Sequence, residues 1–220
     1  MKTRPFLLCV CLLIVAVQHL SAQPSQAPDA AYTEAMETSL MKLDSAKQVA
    51  DYEACRNLFE SIANKYTNQW MPAYYVAYTN IRMVFKNSKH TDADAMLADA
   101  DRYIEQAKAL ANADQSEIYT LRGYYFNACI LLNAAANGPK YLGEVQQSYQ
   151  KAIAENANNP RPVFLLAMFD SYLPLFLRSV KEPCEEYRKA LTLYQNSDAK
   201  TLEKPYWGKA WLAMLAGKCK

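Results

Sequence analysis

Met96-Leu97-Ala98-Asp99-Ala100-Asp101-Arg102-Tyr103-Ile104-Glu105-Gln106-Ala107-Lys108-Ala109-Leu110 is the stretch that decides the fold class. Met96, Leu97, Ala100, Tyr103, Ile104, Ala107 and Leu110 recur at intervals of three and four, which places them on one face of an α-helix. The same period runs through Cys55, Leu58, Phe59, Ile62 and Tyr66, and again through Tyr187, Ala190, Leu191 and Tyr194. No segment alternates as a strand does, and glycine is scarce, with five in the chain. The reading is all-α.

Helix starts divide the chain further. Asp114 with Glu117 three residues on has capping-box spacing, and Thr91 with Asp94 is a weaker version. Pro72, Pro160 or Pro162, and Pro205 suit a first helical turn, where a missing N–H is not needed. These signals give about nine helices, near 30–46, 51–66, 70–86, 92–111, 115–136, 141–156, 161–178, 181–195 and 205–217. Pro174 is expected to kink or end the seventh. Short connections between them predict antiparallel hairpins.

The N-terminus reads as a secretory signal. Lys2 and Arg4 precede an apolar run from Phe6 to Val17, and Leu20-Ser21-Ala22 ends on a small residue. The run is shorter than the roughly 20 residues that a spanning helix needs. Residues 1–22 are thus expected to be cleaved, 23–29 to be flexible, and 30–220 to form one helical domain in the periplasm or outside the cell. Loss of Lys2 and Arg4 leaves 22 basic residues against 22 acidic ones. That balance argues against nucleic acid, which calls for a basic excess on one face. No stable membrane anchor is expected after cleavage.

The hairpins repeat. Second helices carry Cys55/Phe59, Ala100/Ile104, Ser148/Ala152 and Tyr187/Leu191, and first helices carry Tyr74-Tyr75-Val76-Ala77-Tyr78, Tyr119 to Tyr124, and Val163 to Ala167. Ala107 to Tyr124, with its Leu121-Arg122-Gly123, and the turn Asn158-Asn159-Pro160 resemble tetratricopeptide repeats. The spacings between Phe59, Ile104, Ala152 and Leu191 are 45, 48 and 39 residues, against the family's roughly 34. The resemblance therefore implies an irregular solenoid of antiparallel helix hairpins, with an inserted loop around Asn137-Gly138-Pro139. The segment from Asn159-Pro160-Arg161 through Pro183-Cys184 to Trp207-Gly208 and Cys219 also resembles a group of short exported bacterial proteins of this kind.

Catalytic and metal-binding constellations are missing from the sequence, and neither an enzyme nor a cofactor is expected. Beyond the signal, the lone histidine is His90, within the polar run Lys86 to Thr91. Asp92, Asp94, Asp99 and Asp101 lack the glycine and terminal glutamate of a calcium loop and read as a solvated helix face. Cys55 and Cys129 read as buried free thiols. Cys184 and Cys219 fall at helix ends in an oxidising compartment and are expected to pair, although four cysteines allow three full pairings.

Carried over by position, the tetratricopeptide resemblance implies a partner groove lined by Tyr74, Tyr78, Thr120, Tyr124, Asn127, Phe164 and Met168. Trp70 reads as a staple at a helix start, and Trp207, Trp211 and Leu215 as the stripe of a helix capping the open end of the stack. The functional expectation is an adaptor that docks a protein segment in the cell envelope. The alternative is a carrier or sensor of a small apolar or sugar-like ligand held between helices.

Overall fold

The computed structural model describes residues 29–197, 201–202 and 204–219; the expected signal segment 1–22 lies outside them. Nine α-helices occur among the described residues: α1 (Ala30–Ser45), α2 (Val49–Lys65), α3 (Trp70–Lys86), α4 (Ala93–Lys108), α5 (Gln115–Leu132), α6 (Ala134–Glu155), α7 (Pro160–Ser171), α8 (Pro183–Asn196) and α9 (Leu212–Ala216). No strand is found among these residues. Each helix from α1 to α7 packs on the next in sequence, and α3, α5 and α7 also touch one another in turn. The molecule is thus a stack of hairpins with α3, α5 and α7 as one layer.

The paired small and large positions of the second helices build the seams between hairpins. Cys55, Phe59, Ala100, Ile104, Ser148, Ala152 and Tyr187 are all buried. Gly123 explains the closest approach. A Cβ there would lie 2.6 Å from the Tyr149 ring, so only glycine lets α6 seat against α5. Caps set the helix starts: the Asp114 carboxylate accepts from Glu117 N at 3.2 Å, and Asn159 Oδ1 accepts from Arg161 N at 3.1 Å, with Pro160 in the first turn.

Three expectations need correction. Asn137-Gly138-Pro139 is not an inserted loop but part of α6. Asn133 ends α5 and also starts α6, its Oδ1 accepting from Ala136 N at 3.1 Å, so the second helix begins early enough to enclose Pro139. The seventh helix stops at Ser171, ahead of Pro174, and a 3-10 turn follows at Leu175–Leu177. The last helix does not start at Pro205. Gly208 has a φ of 101°, which interrupts it, and only a 3-10 turn and the short α9 follow.

That interruption sends Trp207 and Trp211 inward across α3 and α5 instead of along a capping helix. The C-terminal strap, residues 204–219, is closed at its far end by the Cys184–Cys219 disulfide, with Cα atoms 5.2 Å apart. Cys55 and Cys129 are free and buried. Trp70 is buried at the start of α3 and meets Tyr74 edge-on, ring centroids 5.5 Å apart.

Candidate functional site

Between the strap and the layer of α3, α5 and α7 lies a cleft of about 1060 Å³, the size of a small-molecule or cofactor site. One wall is aromatic and comes from both sides. α2 and α3 bring Tyr52, Tyr75 and Tyr78; α8 brings Tyr194; the strap brings Tyr206, Trp207 and Trp211. Cations also line it: Lys47, Arg82, Lys86, Arg161, Lys204 and Lys209.

A buried polar group anchors the strap. Glu117 and Arg161 are both almost fully buried, and the Arg161 guanidinium grips the carboxylate through Nε and Nη2. Asn159 Nδ2 donates to Glu117 Oε1 at 2.7 Å, and Tyr74 Oη donates to Oε2 at 3.1 Å. Arg161 Nη1 in turn donates to the Trp207 carbonyl at 3.2 Å, and Trp207 Nε1 donates to Tyr74 Oη at 2.8 Å. A charge pair taken out of water is tolerable only when its remaining donors and acceptors are met, and here the strap itself supplies part of the set. The Trp207 ring then stacks 4.8 Å from Tyr78 and 5.7 Å from Tyr124.

Arg82 is placed differently. Its Nη1 donates to Tyr124 Oη and its Nη2 to Tyr52 Oη, both at 3.1 Å, and the guanidinium lies over the Trp211 ring at 4.7 Å. It bonds phenols where Arg161 bonds a carboxylate. Its buried Nε has no hydrogen-bond partner, and neither has the buried Tyr194 Oη across the cleft. Buried polar atoms left unpaired are unusual in a folded protein. Those of Arg82 and Tyr194, and the similarly buried Tyr75 Oη, belong to residues that line this one cleft. Burial pushes the phenols of Tyr75, Tyr78 and Tyr194 above their usual value, so they face the cleft as neutral hydroxyls.

Of the seven groove residues implied by the resemblance, Tyr78 lines the cleft. Tyr74 and Tyr124 form the layer beneath Trp207. Thr120 and Phe164 are fully buried, the Thr120 hydroxyl donating back to the Ser116 carbonyl at 2.7 Å. Asn127 and Met168 are half-buried, and neither lines the cleft. The strap covers Tyr74, Tyr78 and Tyr124, three of the side chains expected to meet a partner. Sequence reasoning missed Tyr52, Arg82, Tyr194 and Tyr206. For Arg82 a signal existed, a lone cation among the aromatics and aliphatics of Trp70 to Phe85.

The remaining polar candidates sit elsewhere. His90 belongs to the turn between α3 and α4, its Nδ1 accepting from Asp92 N at 3.2 Å. Asp99 pairs with Arg56 and Arg102, and Asp101 with Arg122. No group of three or more metal-ligating side chains is gathered among the described residues.

No protein-family model matches the chain, and no curated protein matches it. Among solved structures, the HusA haemophore from Porphyromonas gingivalis is similar to it with a TM-score of 0.78 and 29% sequence identity, over 88% of this chain and 95% of that one.

Proposed function

We propose that this protein is an exported, non-catalytic carrier of haem or a closely similar flat tetrapyrrole, held in the cleft beneath the C-terminal strap. The observation that carries the reading is the likeness to a haemophore over most of both chains. It favours a small ligand over the protein segment first expected. The strap argues the same way, because a docking peptide would have to displace Trp207 and Trp211 from Tyr78, Tyr124 and Arg82.

The cleft residues fit the chemistry of such a ligand. A tetrapyrrole offers a broad apolar plane and carboxylates at one edge. Tyr206 and Trp211, both half-buried, supply apolar faces, and Arg82, Lys86 and Lys47 supply cations. Arginine suits the carboxylate because its planar fork makes paired, charge-assisted hydrogen bonds. No histidine lines the cleft among the described residues, so ring contact and carboxylate pairing carry the affinity in this reading. Export rests on the signal-like residues 1–22 and on the disulfide, which oxidising compartments favour.

Titration of ferric haem into the mature protein, followed by haem absorbance and tryptophan quenching, tests the reading. Saturable one-to-one binding is expected. Arg82→Met should weaken it roughly ten- to a hundredfold, the worth of a charged hydrogen bond. His90→Ala should leave it unchanged. Absence of saturable binding, or equal affinity in wild type and Arg82→Met, contradicts it.

A further inference from the structure

Two arginines line the cleft, and they are held in opposite ways. Arg161 is paired with the Glu117 carboxylate, so its charge is already met within the fold. Arg82 is held by phenols, Nη1 by Tyr124 Oη of α5 and Nη2 by Tyr52 Oη of α2, both at 3.1 Å. Its plane is set as well: Cζ lies 4.7 Å from the centroid of the Trp211 ring and 5.3 Å from that of Tyr52.

The two kinds of acceptor have different consequences. A carboxylate orients an arginine and cancels its charge. A phenol, uncharged at neutral pH, orients it and leaves the charge standing. The acids that line the cleft among the described residues are engaged elsewhere: Glu117 with Arg161, Asp114 at the start of α5, and Asp44 beside the Tyr206 phenol. α3 itself contains no Asp or Glu, and Lys86 follows Arg82 one turn on. The phenols occupy two of the five N–H groups of the guanidinium. Arginine recognises a carboxylate through a planar fork, and ordering that fork in advance lowers the cost of binding.

We propose that Tyr52 and Tyr124 are positioning residues for ligand recognition: they fix the Arg82 fork before the ligand arrives and keep its charge for an anionic carboxylate of that ligand. The inference rests on the carrier reading above and goes beyond it, because it assigns the selectivity for a free acid over a neutral ester to two phenols that act through an arginine. Tyr124 is buried beneath Trp207 and does not line the cleft. Its hydroxyl therefore reaches the ligand only through Arg82. Tyr52 is also buried, and its hydroxyl is placed by α2 on the other Nη, so that two helices flanking α3 set one guanidinium. A site whose supporting side chains hold the recognising group in place discriminates better than one built on a free side chain.

The test is titration of the mature protein with ferric haem and with its dimethyl ester, which keeps the ring and lacks the carboxylates. Wild type is expected to bind the acid roughly tenfold or more tightly than the ester, as for a charged hydrogen bond. Tyr52→Phe and Tyr124→Phe should each weaken the acid about three- to tenfold, the loss of one hydrogen bond, and leave the ester within about twofold. With Arg82→Met already in place, adding Tyr52→Phe should change nothing further. Tyr149→Phe removes a buried phenol outside the cleft lining and should bind both ligands as wild type does. Circular dichroism checks that each variant is folded, and either phenol variant alone carries the comparison. Equal losses for acid and ester, an undiminished Tyr52→Phe loss in the Arg82→Met background, or phenol variants that bind the acid as wild type does each overturn the inference and leave the carrier reading in place. Wild type that binds neither ligand overturns the carrier reading, and this inference with it.

Discussion

Glu117 and Arg161 show how a single pair of side chains ties the fold to the site. Removing one partner leaves a buried charge with nothing to meet it, which costs about 3–5 kcal/mol. Arg161→Met should therefore lower stability by that amount in urea unfolding, whereas Glu117→Leu/Arg161→Met together should cost clearly less. Equal losses in the single and the double variant contradict this. The pair was not legible in the sequence. Glu117 has the spacing of a capping-box residue, and its backbone N–H does bond Asp114. Its carboxylate instead turns inward to a residue 44 positions away, and no local pattern reports such a distant partner. Arg82 belongs to the same lesson. Helical periodicity explains why Tyr74 and Tyr78 share a face, but not which phenols an arginine four residues further on will reach.

At the scale of elements, the strap and its disulfide decide the shape of the cleft. Cys184 and Cys219 close a loop of 35 residues, worth about 3–4 kcal/mol in the chain-entropy model. Cys184→Ser/Cys219→Ser should lower the thermal midpoint accordingly and speed haem release, since one wall of the cleft is then tethered at a single end. An unchanged release rate in that variant means the strap does not retain the ligand. Trp207→Ala should cost about 3–5 kcal/mol, as for other buried large aromatics, measured by denaturant unfolding. Most helices could be placed from the sequence because the hydrophobic period is strong and Asp114, Asn159 and Pro160 mark real starts. The final segment misled for a definite reason. Trp207, Trp211 and Leu215 keep helical spacing, yet a Cβ at Gly208 would meet Tyr194 Oη at 2.5 Å and its φ is positive. A glycine directly after the first tryptophan was the available sign that this stripe was not one helix.

The whole molecule is unusual for its tyrosine content, 16 in the chain. Burial raises the phenols of Tyr74, Tyr78, Tyr124 and Tyr149 above the ordinary value of 10.0, and that of Tyr32 to about 12. A phenol whose folded-state value lies above its unfolded one contributes stability that is complete below pH 10. That stability is lost as pH rises toward the folded-state value. Alkaline titration should therefore show phenolate absorbance rising together with loss of helical circular dichroism, in one cooperative step above pH 10. Gradual ionisation of these phenols in a still-helical protein contradicts that. The all-helical stack was readable because repeating seams impose a repeating pattern. The cleft was not, because it exists only where the chain's end crosses back over α3.

Hydrogen exchange of the mature protein with and without ferric haem tests the central claim, that the cleft under the strap is the ligand site. Haem should protect α3 from Tyr74 to Lys86 and the strap from Tyr206 to Trp211, leaving α4, α6 and residues 172–178 unchanged. Protection confined to other helices, or none at saturating haem, would contradict the account.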